Sequence, residues 1–80
     1  MPRLRPQHWK TLDKAYRAMG YIPEKKLSDS NHILYWHKDY KKIGQIRPVS
    51  LPKYPEVGLD IIQNNIRTGK MDRKELLKYL

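Results

Sequence analysis

The sequence predicts an α+β domain in which a helix, three antiparallel strands, a second helix and a short last helix follow one another. Apolar residues recur at spacings of three and four near both ends of the chain, which is typical of helices packed on one side. Between them, from Tyr21 to Leu51, the pattern changes to short apolar runs broken by proline and glycine. This order is typical of an antiparallel sheet with its helices on one face.

The first helix is predicted from four apolar residues that share one side of a helical turn: Trp9, Leu12, Tyr16 and Met19. Pro6 suits a first helical turn, and Gly20 suits the position after a last one. We therefore expect a helix from Pro6 to Met19.

Two further helices are predicted after the strands. Leu59, Ile62 and Ile66 repeat at three and four, and Gly69 is a natural C-terminal stop, so we expect a helix from about Glu56 to Thr68. Asp72, with Glu75 three residues later, resembles a capping box that opens the last short helix. Its leucines, Leu76, Leu77 and Leu80, would pack on the core.

Three strands are expected in the middle of the chain. Tyr21-Ile22 followed by Pro23 indicates a short edge strand, and the apolar and aromatic run His32 to His37 indicates a central one. The basic connection Lys38 to Lys42 then leads to a third strand from Ile43 to Leu51, interrupted by Gly44 and Pro48.

His32 is the first candidate for chemistry, because it lies where the polar turn Ser28 to Asn31 enters the central strand. Side chains alternate along a strand, so His32 and His37 point to opposite faces, although the pattern does not say which face is the core. An imidazole at such an edge can exchange a proton near neutral pH. A half-buried histidine with a purely structural role fits the same pattern.

The charge of the chain indicates an anionic partner. Its 80 residues contain 17 Lys and Arg against 8 Asp and Glu, a formal net charge of +9, and no cysteine. We therefore expect one domain, residues 1–80, held by packing alone, and a polyanion such as nucleic acid or an acidic protein as its partner.

No membrane partner is expected, since no apolar run approaches the length of a spanning helix. Met1 to Gln7 does not read as a signal peptide, so we expect a cytoplasmic protein.

The motifs that the sequence contains and lacks make RNA cleavage the reaction that fits it best. The three histidines have no cysteine and no helical His-x-x-x-His pair to complete a zinc site, and the four glycines form no phosphate loop. No metal or other cofactor is expected. RNA cleavage without a metal needs a base for the ribose 2′-OH and cations for the developing charge. A neutral imidazole fits the first role. Any of five lysines could supply the second, and the sequence does not say which of them converge: Lys25, Lys26, Lys41, Lys42 or Lys53.

Four segments together resemble the HicA family of toxins (the YcfA-like group). They are Gly20-Tyr21, Ser30 to Tyr35, Val49 to Tyr54 and Ile61 to Met71, and the resemblance runs from about Trp9 to Leu80. Its strongest parts are the Pro-Lys-Tyr turn at Pro52 to Tyr54 and the Ile-Ile-x-Asn-Asn-Ile-Arg-Thr-Gly-x-Met segment from Ile61.

The resemblance implies a fold like that of double-stranded-RNA-binding domains and the activity of a metal-independent mRNA interferase. It makes His32 the general base, mRNA the substrate and a HicB-type antitoxin the protein partner. The family's usual Gly-Ser-His corresponds to Ser30-Asn31-His32, which places Ser30 and Asn31 among the RNA-binding residues. Asn tolerates left-handed backbone geometry and Ser often occupies turns, so the turn can form without the glycine.

Two other functions fit the same sequence. One is a non-catalytic RNA-binding domain that uses the same basic surface, as the fold resemblance alone would allow. The other is a protein-interaction module whose charge serves only to bind an acidic partner.

Overall fold

A computed structural model describes residues 3–26 and 30–80 of the chain. In these ranges the elements are α1 (Trp9–Ala18), β1 (Tyr21–Pro23), β2 (His32–His37), α2 (Tyr40–Ile43), β3 (Val49–Pro52), α3 (Leu59–Gly69) and α4 (Arg73–Lys78). The predicted α+β class and its helix, three strands, helix order are confirmed. None of the helices in the described part is long and apolar enough to cross a membrane.

The sheet has the order β1-β2-β3, with both neighbouring pairs antiparallel. The prediction of His32 to His37 as the central strand is confirmed, and so is the position of Tyr21-Ile22 at an edge. Of the predicted turn from Ser28 to Asn31, Ser28 and Asp29 lie outside the described residues. Ser30 and Asn31 form a bend that leads directly into β2.

Tyr35 defines the inner face of the sheet, which is the face that α1 and α3 cover. Its side chain is fully buried. Its ring lies edge-on to Tyr16 of α1, with centroids 5.5 Å apart, and its hydroxyl donates a 2.5 Å hydrogen bond to the Asp13 carboxylate. Because side chains alternate, Ile33 and His37 share this inner face, whereas His32 and the residues in register with it point to the outer face. The expectation of helices on one face is confirmed.

The buried tyrosine hydroxyls all have hydrogen-bond partners. Tyr16 accepts from the Asn65 amide at 3.1 Å, and Tyr21 donates to the Gly69 carbonyl at 2.5 Å. Burial raises the pKa of Tyr16 to about 12, and burial raises the pKa of Tyr21 by a similar amount, to about 12. Burial is also the largest cause of the raised pKa of Tyr35, followed by its hydrogen bond to Asp13. These phenols join both long helices to the sheet through satisfied polar groups.

The third strand is shorter than predicted, and part of the expected strand is helical. Tyr40–Ile43 forms one helical turn, α2, which ends at Gly44 with a φ of +80°. The strand begins only at Val49. The expected strand from Ile43 to Leu51 is therefore wrong over its first six residues, Ile43 to Pro48. Glycine at a left-handed position ends a helical turn, a role that the strand assignment ignored.

The two long helices begin later than predicted. Gln7 pairs with Val57 in an isolated bridge, so the chain is extended before both helices. His8 becomes the N-cap of α1, accepting the Lys10 backbone N–H on Nδ1 at 3.1 Å. This long-range pairing outweighs the local preference of Pro6 for a helical turn, which sequence periodicity does not detect.

Gly69 is the last residue of α3 and not the left-handed residue that follows the helix. The left-handed residue after the helix is Lys70, with a φ of 56°. A Cβ at Gly69 would lie 2.6 Å from Val49 Cγ2 and 3.3 Å from Tyr21 Cε1. The glycine is therefore needed for the close approach of α3 to the sheet. The prediction that Gly69 stops the helix by taking the left-handed conformation is wrong.

The last helix is capped as expected. Asp72 Oδ1 accepts the Lys74 backbone N–H at 2.9 Å, and Leu76 is fully buried. Leu77 packs against the core from a partly buried position, but Leu80 lies beyond the helix and is exposed. The expected docking of Leu80 is therefore wrong.

We predict that Gly69→Ala destabilises the fold by about 1–3 kcal/mol, because the added methyl overpacks the contact with Val49. At an open helical site the same change would be stabilising by about 1 kcal/mol. The measurement is urea unfolding of the wild type, Gly69→Ala, Val49→Ala and the double variant. Val49→Ala removes the clashing Cγ2, so the cost of Gly69→Ala should fall in its presence. Equal costs in both backgrounds would show that the contact does not limit the approach of α3.

Candidate functional site

A groove of about 560 Å³ runs between β3, an edge strand of the described sheet, and α3. His32 lies in its wall. The groove is lined by His32, Ser50, Pro52, Tyr54, Asp60, Ile61, Gln63, Asn64, Asn65 and Arg67. It is therefore a concave, mixed polar and apolar site that contains the histidine predicted from the sequence.

The sheet supplies one wall of the groove through the register of β2 and β3. His32 pairs with Pro52, and Ser50 lies two residues before Pro52 on the same face. Tyr35 pairs with Val49 on the inner face. Because alternation is unbroken between these pairs, burying Tyr35 turns His32 outward.

The second wall is one side of α3. Asp60, Gln63, Asn64 and Arg67 follow helical spacings of three and four, so they share a face. The fully buried Ile62 holds the opposite face of the helix against the core. The same packing that docks α3 on the sheet thus presents an amide-rich face with one carboxylate and one guanidinium to the groove.

The residue before β2 is hydrogen-bonded to the residue after β3, next to His32. The Lys53 backbone N–H donates to the Asn31 carbonyl at 2.9 Å. His32 itself is half-buried, whereas Ser30, Asn31 and Lys53 are exposed. These four predicted site residues therefore lie together, around one end of the sheet.

Lys53 lies over an aromatic ring. Its Nζ is 5.6 Å from the Trp9 ring centroid, and Lys10 Nζ is 5.9 Å from the same centroid. The Trp9 backbone N–H donates to the Tyr54 carbonyl at 3.2 Å, which joins the start of α1 to the groove. Cation–π contact therefore holds two ammonium groups at the ring of Trp9, whose backbone is bonded to that of a groove residue.

The other predicted lysines lie farther from the groove. Lys25 and Lys26 follow β1 in an exposed turn at the same end of the sheet as His32, but β2 separates β1 from β3. Lys41 and Lys42 lie in α2, beyond the opposite end of β2. Five residue steps along a strand span about 17 Å, so the structure does not bring these two lysines to the groove.

His37 lies on the inner face, away from the groove. Its ring packs edge-on against Tyr21 with centroids 4.8 Å apart, and its Nδ1 accepts the Asp39 backbone N–H at 3.0 Å. His8 caps α1. Of the three histidines, His32 is the one that lines the groove.

The groove combines an imidazole with a guanidinium and with hydroxyl and amide groups. A neutral imidazole accepts a proton, and a guanidinium binds an anionic oxygen pair with two parallel hydrogen bonds. Among residues 3–26 and 30–80, no three His, Asp or Glu side chains are placed to hold a metal ion. The arrangement suits proton abstraction next to an anionic group.

The sequence reasoning did not select the α3 residues of the site, Asp60, Gln63, Asn64 and Arg67. Their signal was present, because the apolar positions that predicted the helix leave these four on its other side. The sequence did not show which residues this side of α3 would face, because no local pattern indicates that α3 lies near His32.

Comparisons of the chain with protein-family models, with curated proteins and with solved structures find no match. The groove, the charge of the chain and the motif resemblance are therefore the features that indicate a function.

Proposed function

We propose that this protein is a metal-independent endoribonuclease of the HicA toxin type, with His32 as general base. The observation that carries the proposal is that His32 lies in a concave groove with Arg67 while the other two histidines do not. The net charge of +9 favours RNA as the substrate. The helix, three strands, helix order agrees with the fold that the motif resemblance implies.

In the proposed reaction the neutral His32 imidazole takes the proton of a ribose 2′-OH. The 2′ oxygen then forms a bond to the adjacent phosphorus, and the bond from phosphorus to the 5′ oxygen breaks. The imidazolium or a water molecule returns a proton to the 5′ oxygen. The products are a 2′,3′-cyclic phosphate and a 5′-hydroxyl end.

Arg67 and Lys53 are the proposed cations for the phosphate. Arg67 lines the groove, and Lys53 follows Pro52, the register partner of His32. A guanidinium aimed at the phosphorane oxygens stabilises charge that develops in the transition state. Asn64 and Gln63 offer amide donors on the same wall. In this proposal Lys25, Lys26, Ser30 and Asn31 contact RNA on the other side of His32.

The resemblance also leads us to propose mRNA in the cytoplasm as the substrate and an acidic HicB-type antitoxin as the partner. An acidic protein bound over the groove would pair with the excess cations and would also block the access of RNA to the groove. Ser30 in place of the family's glycine favours a second candidate, an RNA-binding domain that has kept the groove and lost cleavage.

We predict that His32→Ala lowers the rate of RNA cleavage by about 100-fold or more, the usual contribution of a positioned general base. Its thermal transition should remain within a few degrees of the wild type. His32→Gln keeps size and hydrogen bonding but not proton exchange near neutral pH, so it should be equally inactive. His37→Asn is the matched control, because its side-chain oxygen can still accept the Asp39 N–H, and it should cleave normally. A folded His32→Ala variant with normal cleavage would show that His32 is not the general base. A wild type that binds RNA without cutting it would support the RNA-binding candidate instead.

We predict that Arg67→Gln lowers cleavage by about tenfold or more, since it removes a charge-assisted hydrogen bond at the phosphate. Lys78→Gln removes the same charge from the exposed face of α4 and should change cleavage far less. Initial rates at one ionic strength compare the two variants. Equal losses would mean that only the overall charge matters and that Arg67 has no specific contact.

A further inference from the structure

A second surface lies on the outer face of the sheet, at the end away from His32. Trp36 and Tyr40 form an edge-on ring pair with centroids 5.1 Å apart. Ile22, the register partner of Trp36, is 57% exposed. We call these three residues the aromatic patch. Trp36 and His32 lie four residues apart on β2, so both point to the same outer face.

The aromatic patch is bordered by lysines. Lys38, Lys41 and Lys42 line a shallow cleft of about 330 Å³ together with Tyr40 and Asp39. Lys41 Nζ lies 6.0 Å from the Tyr40 ring centroid. Flat rings interleaved with cations form the arrangement that binds single-stranded nucleic acid, in which bases stack on the rings and ammonium groups contact the phosphates.

We infer that the aromatic patch and its lysines bind single-stranded RNA, as an extension of the His32 groove. The inference rests on the proposed function, since the bound strand is its substrate. Bases within a duplex stack on one another, so only an unpaired strand can place its bases on Trp36 and Tyr40. A second copy of the chain is a poor occupant, because its own charge of +9 would meet the same lysines.

The spacing of the two surfaces sets the length of the strand. Four residue steps from His32 to Trp36 span about 13 Å. A stacked strand advances about 3.4 Å per nucleotide, so the base on Trp36 would lie up to about four nucleotides from the phosphate at His32. Lys41 and Lys42, which the groove does not use, would then contact the strand outside the cleavage site.

The test is direct binding of a 2′-O-methylated RNA oligonucleotide, which has no free 2′-OH to attack, as a single strand and as a duplex. Fluorescence anisotropy gives the Kd. Trp36→Ala should weaken single-strand binding by at least about fivefold, the loss expected for one stacked base. Trp36→Phe keeps a ring and should retain most of the affinity. Tyr79→Ala is the matched control, because Tyr79 is a 46% exposed aromatic residue beyond α4, and it should bind normally.

Folding is checked by circular dichroism, and Tyr40→Ala repeats the test at a more exposed residue if Trp36→Ala unfolds. Unchanged single-strand binding by the folded variant would overturn the inference, as would an equal loss for the duplex. Cleavage of unmodified RNA by the wild type separates the two proposals. Normal cleavage with no effect of Trp36 or Tyr40 removes the aromatic patch alone, whereas Trp36-dependent binding without cleavage removes the nuclease and keeps the binding surface.

Discussion

The burial of Tyr35 is the constraint on which the rest of the structure depends. Its ring fills the space between the central strand and α1, and its hydroxyl has a partner in Asp13, which also pairs with Arg17 at 3.0 Å. A one-residue slip of β2 would expose this side chain and leave the Asp13 carboxylate without the phenol. The register of β2 is thereby fixed, and with it the outward direction of His32 and Trp36. The position of the candidate site on the outer face follows from packing on the inner one.

The groove arises from a second contact, the close approach of α3 to the sheet at Gly69. With no Cβ at this position, α3 lies against Val49 and Tyr21, and the Asn65 amide reaches Tyr16. The polar side of the helix is left beside the free edge of β3. The groove is therefore built by three elements, β2, β3 and α3, that meet through tertiary packing, and none of them supplies all of its polar side chains.

The sequence predicted the elements whose signal is local. The boundaries of β2 were predicted from an apolar and aromatic run, and the cap at Asp72 from a short polar motif; both are confirmed. The start of α1 and the first six residues of the expected third strand were not predictable in this way. Gln7 pairs with Val57, fifty residues later in the chain, and such a pairing outweighs local propensity without leaving a periodic pattern.

In the candidate site, too, the features with a local sequence signal were predicted and those set by tertiary contacts were not. His32 was predicted at the start of a strand, directly after Asn31, and Lys53 was one of several candidate cations; the structure places these three residues together. Arg67 was not selected, because only the docking of α3 brings it to the groove. Lys41 and Lys42 were grouped with the site on charge alone, yet a helical turn places them at the far end of β2. Charge in a sequence predicts the class of partner but not which cations meet.

The chemistry of the products decides whether His32 cuts RNA by activating a 2′-OH, as we propose. An RNA oligonucleotide with a single 2′-deoxy substitution at its cleavage position is compared with the unmodified strand, in the presence of a chelator. With His32 as the general base, we expect the unmodified strand to yield 2′,3′-cyclic phosphate and 5′-hydroxyl ends, and we expect the substituted strand not to be cut at that position. Cleavage of the substituted strand, or products with 5′-phosphate ends, would contradict it.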